Sequence, residues 1–227
     1  MCLIYFHLPK KNMKTKISLL VITIALVMNA KAQIGFGAKA GLNLNIITFS
    51  DSEIDPQTGI GFHLGGVASY RLNDNLYLGS ELLFSSRKTS STETEEDGGD
   101  TYEYTDKTTY NFLEIPLLAG WGKSSGLQIQ AGPAFNLLLG GNNTSKVTTT
   151  INGEKDTETT TLSGSDFKEG LTPLLFGAAL GVGYKLESGL NFNVRFQRAL
   201  NSLYDFGDDV DFSANWNTIN LSVGYEF

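Results

Sequence analysis

Residues 190–197 read Leu-Asn-Phe-Asn-Val-Arg-Phe-Gln. Leu190, Phe192, Val194 and Phe196 take one parity, and Asn191, Asn193, Arg195 and Gln197 take the other without a break. Successive side chains of a strand leave opposite faces, so a strict period of two is a strand with one apolar and one polar side. The polar side here is mostly amide, with a single charge. A water-facing surface normally carries dense Lys and Glu, about 25–35% of positions, so this second face reads as something other than solvent.

Seven more segments repeat the pattern. The first sets Ile34, Phe36, Ala38, Ala40, Leu42, Leu44 and Ile46 against Gly35, Gly37, Lys39, Gly41, Asn43 and Asn45. Later ones run over about 60–71, 76–87 (with Tyr77 and Leu83 as apolar interruptions), 110–121, 127–139, 176–185 and 219–227. Connections alternate in length. Residues 72–75 (around Asn73-Asp74-Asn75), 122–126 and 186–189 are short turns, whereas 48–58, 88–108, 140–171 and 199–216 are long. No helical period intrudes after the first 32 residues. An even number of alternating strands with short turns at one end and long loops at the other is an antiparallel up-and-down meander.

The two faces decide which solvent surrounds it. The glycine-, amide- and mixed-charge face suits the cramped interior of a small closed barrel, and the continuous apolar face suits lipid. Phe36, Tyr70, Trp121, Tyr184, Tyr225 and Phe227 gather near the short turns as an aromatic girdle. Phe62, Phe84, Phe112, Phe176 and Phe196 are assigned to the same apolar face nearer the long loops. Strands of 10–13 residues match the ~9–11 that a tilted strand needs to cross the hydrocarbon layer. The expected fold is all-β: an eight-stranded antiparallel up-and-down transmembrane β-barrel with four long extracellular loops and three short periplasmic turns. The Thr-rich tracts 89–94 and 148–161 are β-prone, so the two longest hairpins extend above the membrane.

Residues 1–32 read as a secretory signal peptide rather than fold. Lys14 and Lys16 precede the apolar run 17–28, and Ala30-Lys31-Ala32 has the form of a cleavage site. Met13 is the natural start, and the run is too short for a spanning helix, which needs about 20 apolar residues. The barrel domain is then 33–227, without a separate periplasmic domain. Cleavage removes Cys2, His7 and five lysines but no acid, so a chain of formal charge −7 becomes a cysteine-free chain with 12 basic and 24 acidic residues. That balance excludes a nucleic-acid binder, which needs a basic stripe, and a disulfide scaffold.

The chain resembles the small outer-membrane β-barrel proteins of the PorT-like type. The resemblance spans essentially 33–227. It is carried by the opening 34–43 (IGFGAKAGLN), by 112–118 (FLEIPLL), by Ala131-Gly132-Pro133 and by the terminal Tyr225-Glu226-Phe227. It implies residence in the cell outer membrane of a Gram-negative-type cell, contact with outer-membrane lipid, and insertion by barrel-assembly machinery with Phe227 as the assembly signal. It implies little about activity.

Three constellations stand out. Lys39, Arg71, Glu81, Arg87, Glu114, Lys185, Arg195 and Glu226 fall on the interior face as a lumen charge network, because an unpaired charge in a dry barrel is strongly destabilising. His63 falls opposite Ser85 if Leu72 pairs with Leu76 across the first turn. No carboxylate is placed to orient that imidazole, so the pair reads as polar filler and no catalytic residue is assigned. Nineteen of the 24 acids lie in the four long connections, which read as solvated, self-repelling loops. Among them Asp205, Asp208, Asp209 and Asp211 are candidate ligands for a divalent cation such as Ca2+, although they fit no EF-hand frame. No other cofactor is expected. The leading functional expectation is a non-enzymatic structural or surface-interaction barrel, binding a surface or complex partner through its acidic loops. The second is a narrow channel or small-solute carrier; the third is a lipid hydrolase built on His63 and Ser85.

Overall fold

The computed structural model describes residues 34–51, 53–97, 100–151, 153–204 and 212–227. Residues 1–32, read from sequence as a signal peptide, and the aspartates at 205–211 lie outside the described residues.

One antiparallel sheet contains nine strands: β1 (Ile34–Phe49), β2 (Gln57–Arg71), β3 (Leu76–Asp97), β4 (Asp100–Gly122), β5 (Gly126–Ile151), β6 (Glu154–Ser163), β7 (Leu174–Lys185), β8 (Leu190–Ala199) and β9 (Ala214–Glu226). A short helix, α1 (Ser165–Lys168), precedes β7. Eight strands close a ring in the order β1-β2-β3-β4-β5-β7-β8-β9, with β9 returning to β1 from Gly37 opposite Glu226 to Phe49 opposite Ala214. Closure satisfies the backbone of every stave, which is the condition for crossing lipid with strands. The first short turn is fixed locally. Leu72 N donates to Leu76 O at 2.9 Å, and Asn73 Oδ1 accepts from the amides of Asn75 and Leu76, each at 2.9 Å. This is the way an Asn side chain stands in for backbone in a tight turn.

The wall is inside-out. Leu82, Leu180 and Val194 are more than half exposed, whereas Asn43, Ser85 and Glu114 are completely buried. In water that arrangement would expose a belt of Leu, Phe and Val far larger than a soluble surface tolerates. In lipid it is the required one. Tyr77 and Leu83 point inward. So does Phe112, which corrects its assignment to the lipid face: it is fully buried and shares parity with Glu114. The outer mouth of the lumen is filled with rings rather than charges, so an aromatic residue there does not mark the outside.

The strands are longer than a crossing requires. β5 has 26 residues, roughly 85 Å at ~3.3 Å per residue. The β3–β4 ladder continues to Asp97 opposite Asp100, and β4–β5 to Thr101 opposite Thr150. The connection 140–171, read from sequence as a long loop, is largely strand: β5 runs on to Ile151 and turns into β6, which pairs only with β5. Threonine stiffens the chain toward strand, and cross-strand Thr pairs such as Thr148–Thr157 (Oγ1–Oγ1 3.4 Å) line up on the pleat. Above the barrel, β3, β4, β5 and β6 thus form a free-standing four-stranded sheet. The β4–β5 register slips by one between Asn111 and Phe112, opposite Gly140 and Leu138. Leu139 is the extra residue of a bulge where wall passes into free sheet, and above it the inward parity of β5 changes from even to odd.

Candidate functional site: the lumen and the sheet above it

The lumen is built in layers. At the short-turn end, Lys185 Nζ pairs with Glu226 Oε2 at 2.5 Å, and Ser69 Oγ donates to the same carboxylate at 3.3 Å. The Tyr77 ring lies over Gly120, where an added Cβ would overlap it. In the middle, Glu81 is shared by two cations, Lys39 Nζ at 2.5 Å and Arg195 Nη2 at 2.6 Å, all three nearly devoid of exposure. Next, Glu114 accepts from Arg87 Nη2 at 2.9 Å on one oxygen and from Gln197 Nε2 at 2.5 Å on the other. Arg87 also donates to Asn136 Oδ1 at 2.8 Å and to Ser85 Oγ at 3.2 Å. Each carboxylate meets a cation and a further donor, which is what a buried ion needs to offset its lost hydration.

The amide layer joins β1, β2 and β9. His63 contacts Asn43 Oδ1 through Nδ1 at 2.7 Å and Ser222 Oγ through Nε2 at 2.9 Å. Asn220 Nδ2 donates to the same Asn43 oxygen at 2.8 Å. Above this, the outer mouth is an apolar stopper of Ile47, Tyr110, Phe112, Leu138, Leu175, Leu203 and Trp216. The Arg87 guanidinium lies 5.0 Å from the Phe112 ring centroid and 5.6 Å from that of Trp216, so the stopper rests on the charge network. Phe167 of α1 drops onto Tyr110 (centroids 5.4 Å apart) and sits over Gly141, where a Cβ would overlap its ring. The void among Lys39, Ser69, Tyr77, Glu81, Gln130 and Glu226 measures about 50 Å³. That is space for a few water molecules.

Of the eight charges read as one network, Lys39, Glu81 and Arg195 form one cluster and Arg87 and Glu114 a second, while Lys185 and Glu226 form a third at the short-turn end. Arg71 belongs to none of them. Its guanidinium donates to the carbonyls of Gly122 (3.1 Å) and Lys123 (2.9 Å) and lies over Tyr77, bracing the second short turn. It is the last residue of its strand, so its long side chain reaches turn carbonyls before it can reach the lumen. His63 does stand opposite Ser85 in register, but the two side chains bond to other groups. Tyr70, Trp121, Tyr184, Tyr225 and Phe227 are exposed at the short-turn end, with Phe36 half-buried beside them. Phe227 N donates to Phe36 O at 2.8 Å, so the last residue is tied across to the first strand. Asp205, Asp208, Asp209 and Asp211 lie outside the described residues.

Sequence reading missed the stopper. Trp216, Tyr110 and Phe167 sit in stretches whose period-two signal is weak, and only the β4 parity around Glu114 could have pointed Tyr110 and Phe112 inward. It also missed the two-faced character of the free sheet. The register puts Glu93, Glu95, Asp106, Asp156 and Glu158 on the face that continues the lumen lining.

A closed, inside-out antiparallel ring with a charge-paired interior defines an integral membrane β-barrel. Residues 29–205 match the model of the outer membrane protein beta-barrel domain, and the chain belongs to that family, whose members reside in the outer membrane. No curated protein sequence matches it. Among solved structures it is similar to Ail, the attachment invasion locus protein of Yersinia pestis (11% identity, 86% of this chain and 99% of that one, TM-score 0.43). It is also similar to Neisserial surface protein A (12%, 85% and 97%, 0.40) and to OprG of Pseudomonas aeruginosa (16%, 87% and 97%, 0.36). The family match carries the assignment; these likenesses add nothing about partner or activity.

Proposed function

We propose that this outer-membrane barrel is a non-conducting, non-enzymatic surface-interaction protein that binds through the acidic sheet above its wall. The observation that carries the reading is β6. All ten of its residues are exposed, and among the described residues it pairs with β5 alone, so one edge offers a row of free backbone donors and acceptors. An extended segment of a partner protein can add to such an edge, with Glu154, Asp156 and Glu158 favouring basic side chains at alternate positions. The finer placement among PorT-like barrels belongs to the same proposal and rests on 112–118 and the terminal Tyr-Glu-Phe.

The filled lumen supports the non-conducting half: a stopper of rings closes one mouth and paired charges occupy the rest. Ser85 Oγ accepts from Asn43 and Arg87, and His63 engages Asn43 and Ser222 instead, which supports filler over hydrolysis. The test is crosslinking in native membranes, comparing the full chain with one in which residues 147–158 are replaced by a short turn, which removes Glu154, Asp156 and Glu158 and leaves Lys146 in place. The adduct should vanish with the hairpin. Stable conductance steps in planar bilayers, or an adduct that survives the deletion, would overturn the reading in favour of a channel or of another surface.

A further inference from the structure

The same sheet has an opposite side, the one that continues the lipid-facing wall. All four lysines of 88–163 (Lys88, Lys107, Lys146 and Lys155) lie on it and are exposed, whereas the acids of that stretch face the lumen side except Glu96 and Glu103. The register sharpens this. Lys88 stands opposite Thr109, Ser90 opposite Lys107, Lys107 opposite Thr144, and Thr105 opposite Lys146. Lys88, Lys107 and Lys146 therefore run diagonally across β3, β4 and β5, one strand and one outward position apart, about 7–8 Å per step. Glu103, opposite Thr148, is the diagonal neighbour of Lys146 one row farther up, and Glu96 lies beyond it; the rows from Lys88 to Lys146 hold three cations, no acid, and hydroxyls between them. None of the three lysines has an ion-pair partner among the described residues.

The position of the diagonal matters as much as its charge. On β3 the outward sequence is Leu82, Phe84, Ser86, Lys88. Lys88 is thus two outward positions, roughly 13 Å of strand, beyond the last lipid-facing ring. On the far wall Arg198 is exposed one outward position beyond Phe196 on β8. Lys88 and Arg198, aimed outward just above the apolar belt, stand at the level of lipid headgroups, where each basic residue gains from an anionic surface. From Lys88 the diagonal rises by one outward position, roughly 7 Å of strand, to Lys107 and again to Lys146.

We propose that the outward Lys/Thr face of β3–β5 is a binding site for phosphorylated glycolipid headgroups of the outer leaflet. The lysines pair with phosphate, and Thr105, Thr109 and Thr144 supply hydrogen bonds to sugar. This face is distinct from the β6 edge and stands or falls separately from the partner reading above.

The test uses the whole barrel in phosphatidylcholine vesicles doped with bisphosphorylated lipid A or with its dephosphorylated form, and it reads retained glycolipid per barrel. K88Q/K107Q/K146Q should lower apparent affinity on the order of tenfold to a hundredfold for the phosphorylated lipid. It should have little effect on the weaker binding of the dephosphorylated one. The lumen-side variant E93Q/E95Q should retain glycolipid like wild type, and heat-modifiable gel mobility checks that each variant is folded. Equal retention by the lysine variant, equal loss in the acid variant, or full displacement by millimolar inorganic phosphate would overturn the proposal. The last outcome would make the face a general anion site.

Discussion

Strands β3, β4 and β5 each pass through two media, and their lower and upper halves obey different rules. In the wall the outward parity is Leu82, Phe84 and Leu137 and the inward parity is Glu81, Ser85 and Asn136. Above it the lumen-side parity mixes most of the acids with Tyr104, Val147 and Leu162, and the outward parity is mostly Thr, Ser and Lys with Glu96 and Glu103. The pleat is the same throughout, so alternation reports what lies on each side of the sheet. The two halves also give one residue type very different energetic weight. Glu81 is buried between two cations it cannot do without, whereas Glu158 stands in water and needs no partner.

That contrast makes the largest prediction. Glu81→Gln leaves Lys39 and Arg195 buried without a counter-charge and should cost about 3–5 kcal/mol of barrel stability. Glu158→Gln should stay within about 0.5 kcal/mol. Urea unfolding in lipid vesicles, followed by tryptophan fluorescence, measures both. Comparable losses would mean that the interior is wet enough to hydrate a free ion. Replacing Lys39, Glu81 and Arg195 together by apolar residues of matched volume should recover much of the loss, because the ions are needed for one another and not for the fold.

A second comparison exchanges the solvent and keeps the substitution. Leu221→Arg places a charge on the lipid face of β9 and should cost about 2–4 kcal/mol near mid-depth. Leu162→Arg on the exposed β6 should be within about 0.5 kcal/mol. Asn220→Ser, one residue from Leu221 but on the lumen side, removes a 2.8 Å donation to Asn43 and should cost only about 1 kcal/mol. The same equilibrium unfolding series ranks all three. If Leu221→Arg proves as mild as Asn220→Ser, the two faces of the wall have been exchanged.

The wall was legible from sequence because lipid outside and a cramped interior inside leave each position of a spanning strand one choice of polarity. Leu190 to Gln197 shows this in eight residues. Legibility failed where that constraint lapses. At the outer mouth, Tyr110, Phe112 and Trp216 face inward although they are aromatic, since a stopper out of contact with both lipid and bulk water can be built from rings. Arg71 has the parity of a lumen residue, but turn carbonyls within its reach decide where it goes. The Thr-rich tracts announced strand, yet which residues share a face depends on the single extra residue at Leu139. A bulge leaves no mark in a period-two reading until the partner strand is known.

The smallest expected effect sharpens the boundary between the two halves. Within the free sheet β6 is held by β5 alone, with threonine pairs such as Thr148–Thr157 across the ladder. Thr148→Ala should remove a pair contribution of about 0.2–1 kcal/mol. A two-stranded hairpin is marginally stable on its own, so the change should appear locally, as faster amide hydrogen exchange through 154–163. The exchange of β8 and the urea midpoint of the barrel should not move, because ring closure does not involve β6. A shifted midpoint would show instead that wall and sheet unfold as one cooperative unit. The hairpin would then be part of what stabilises the barrel rather than a separate platform standing on it.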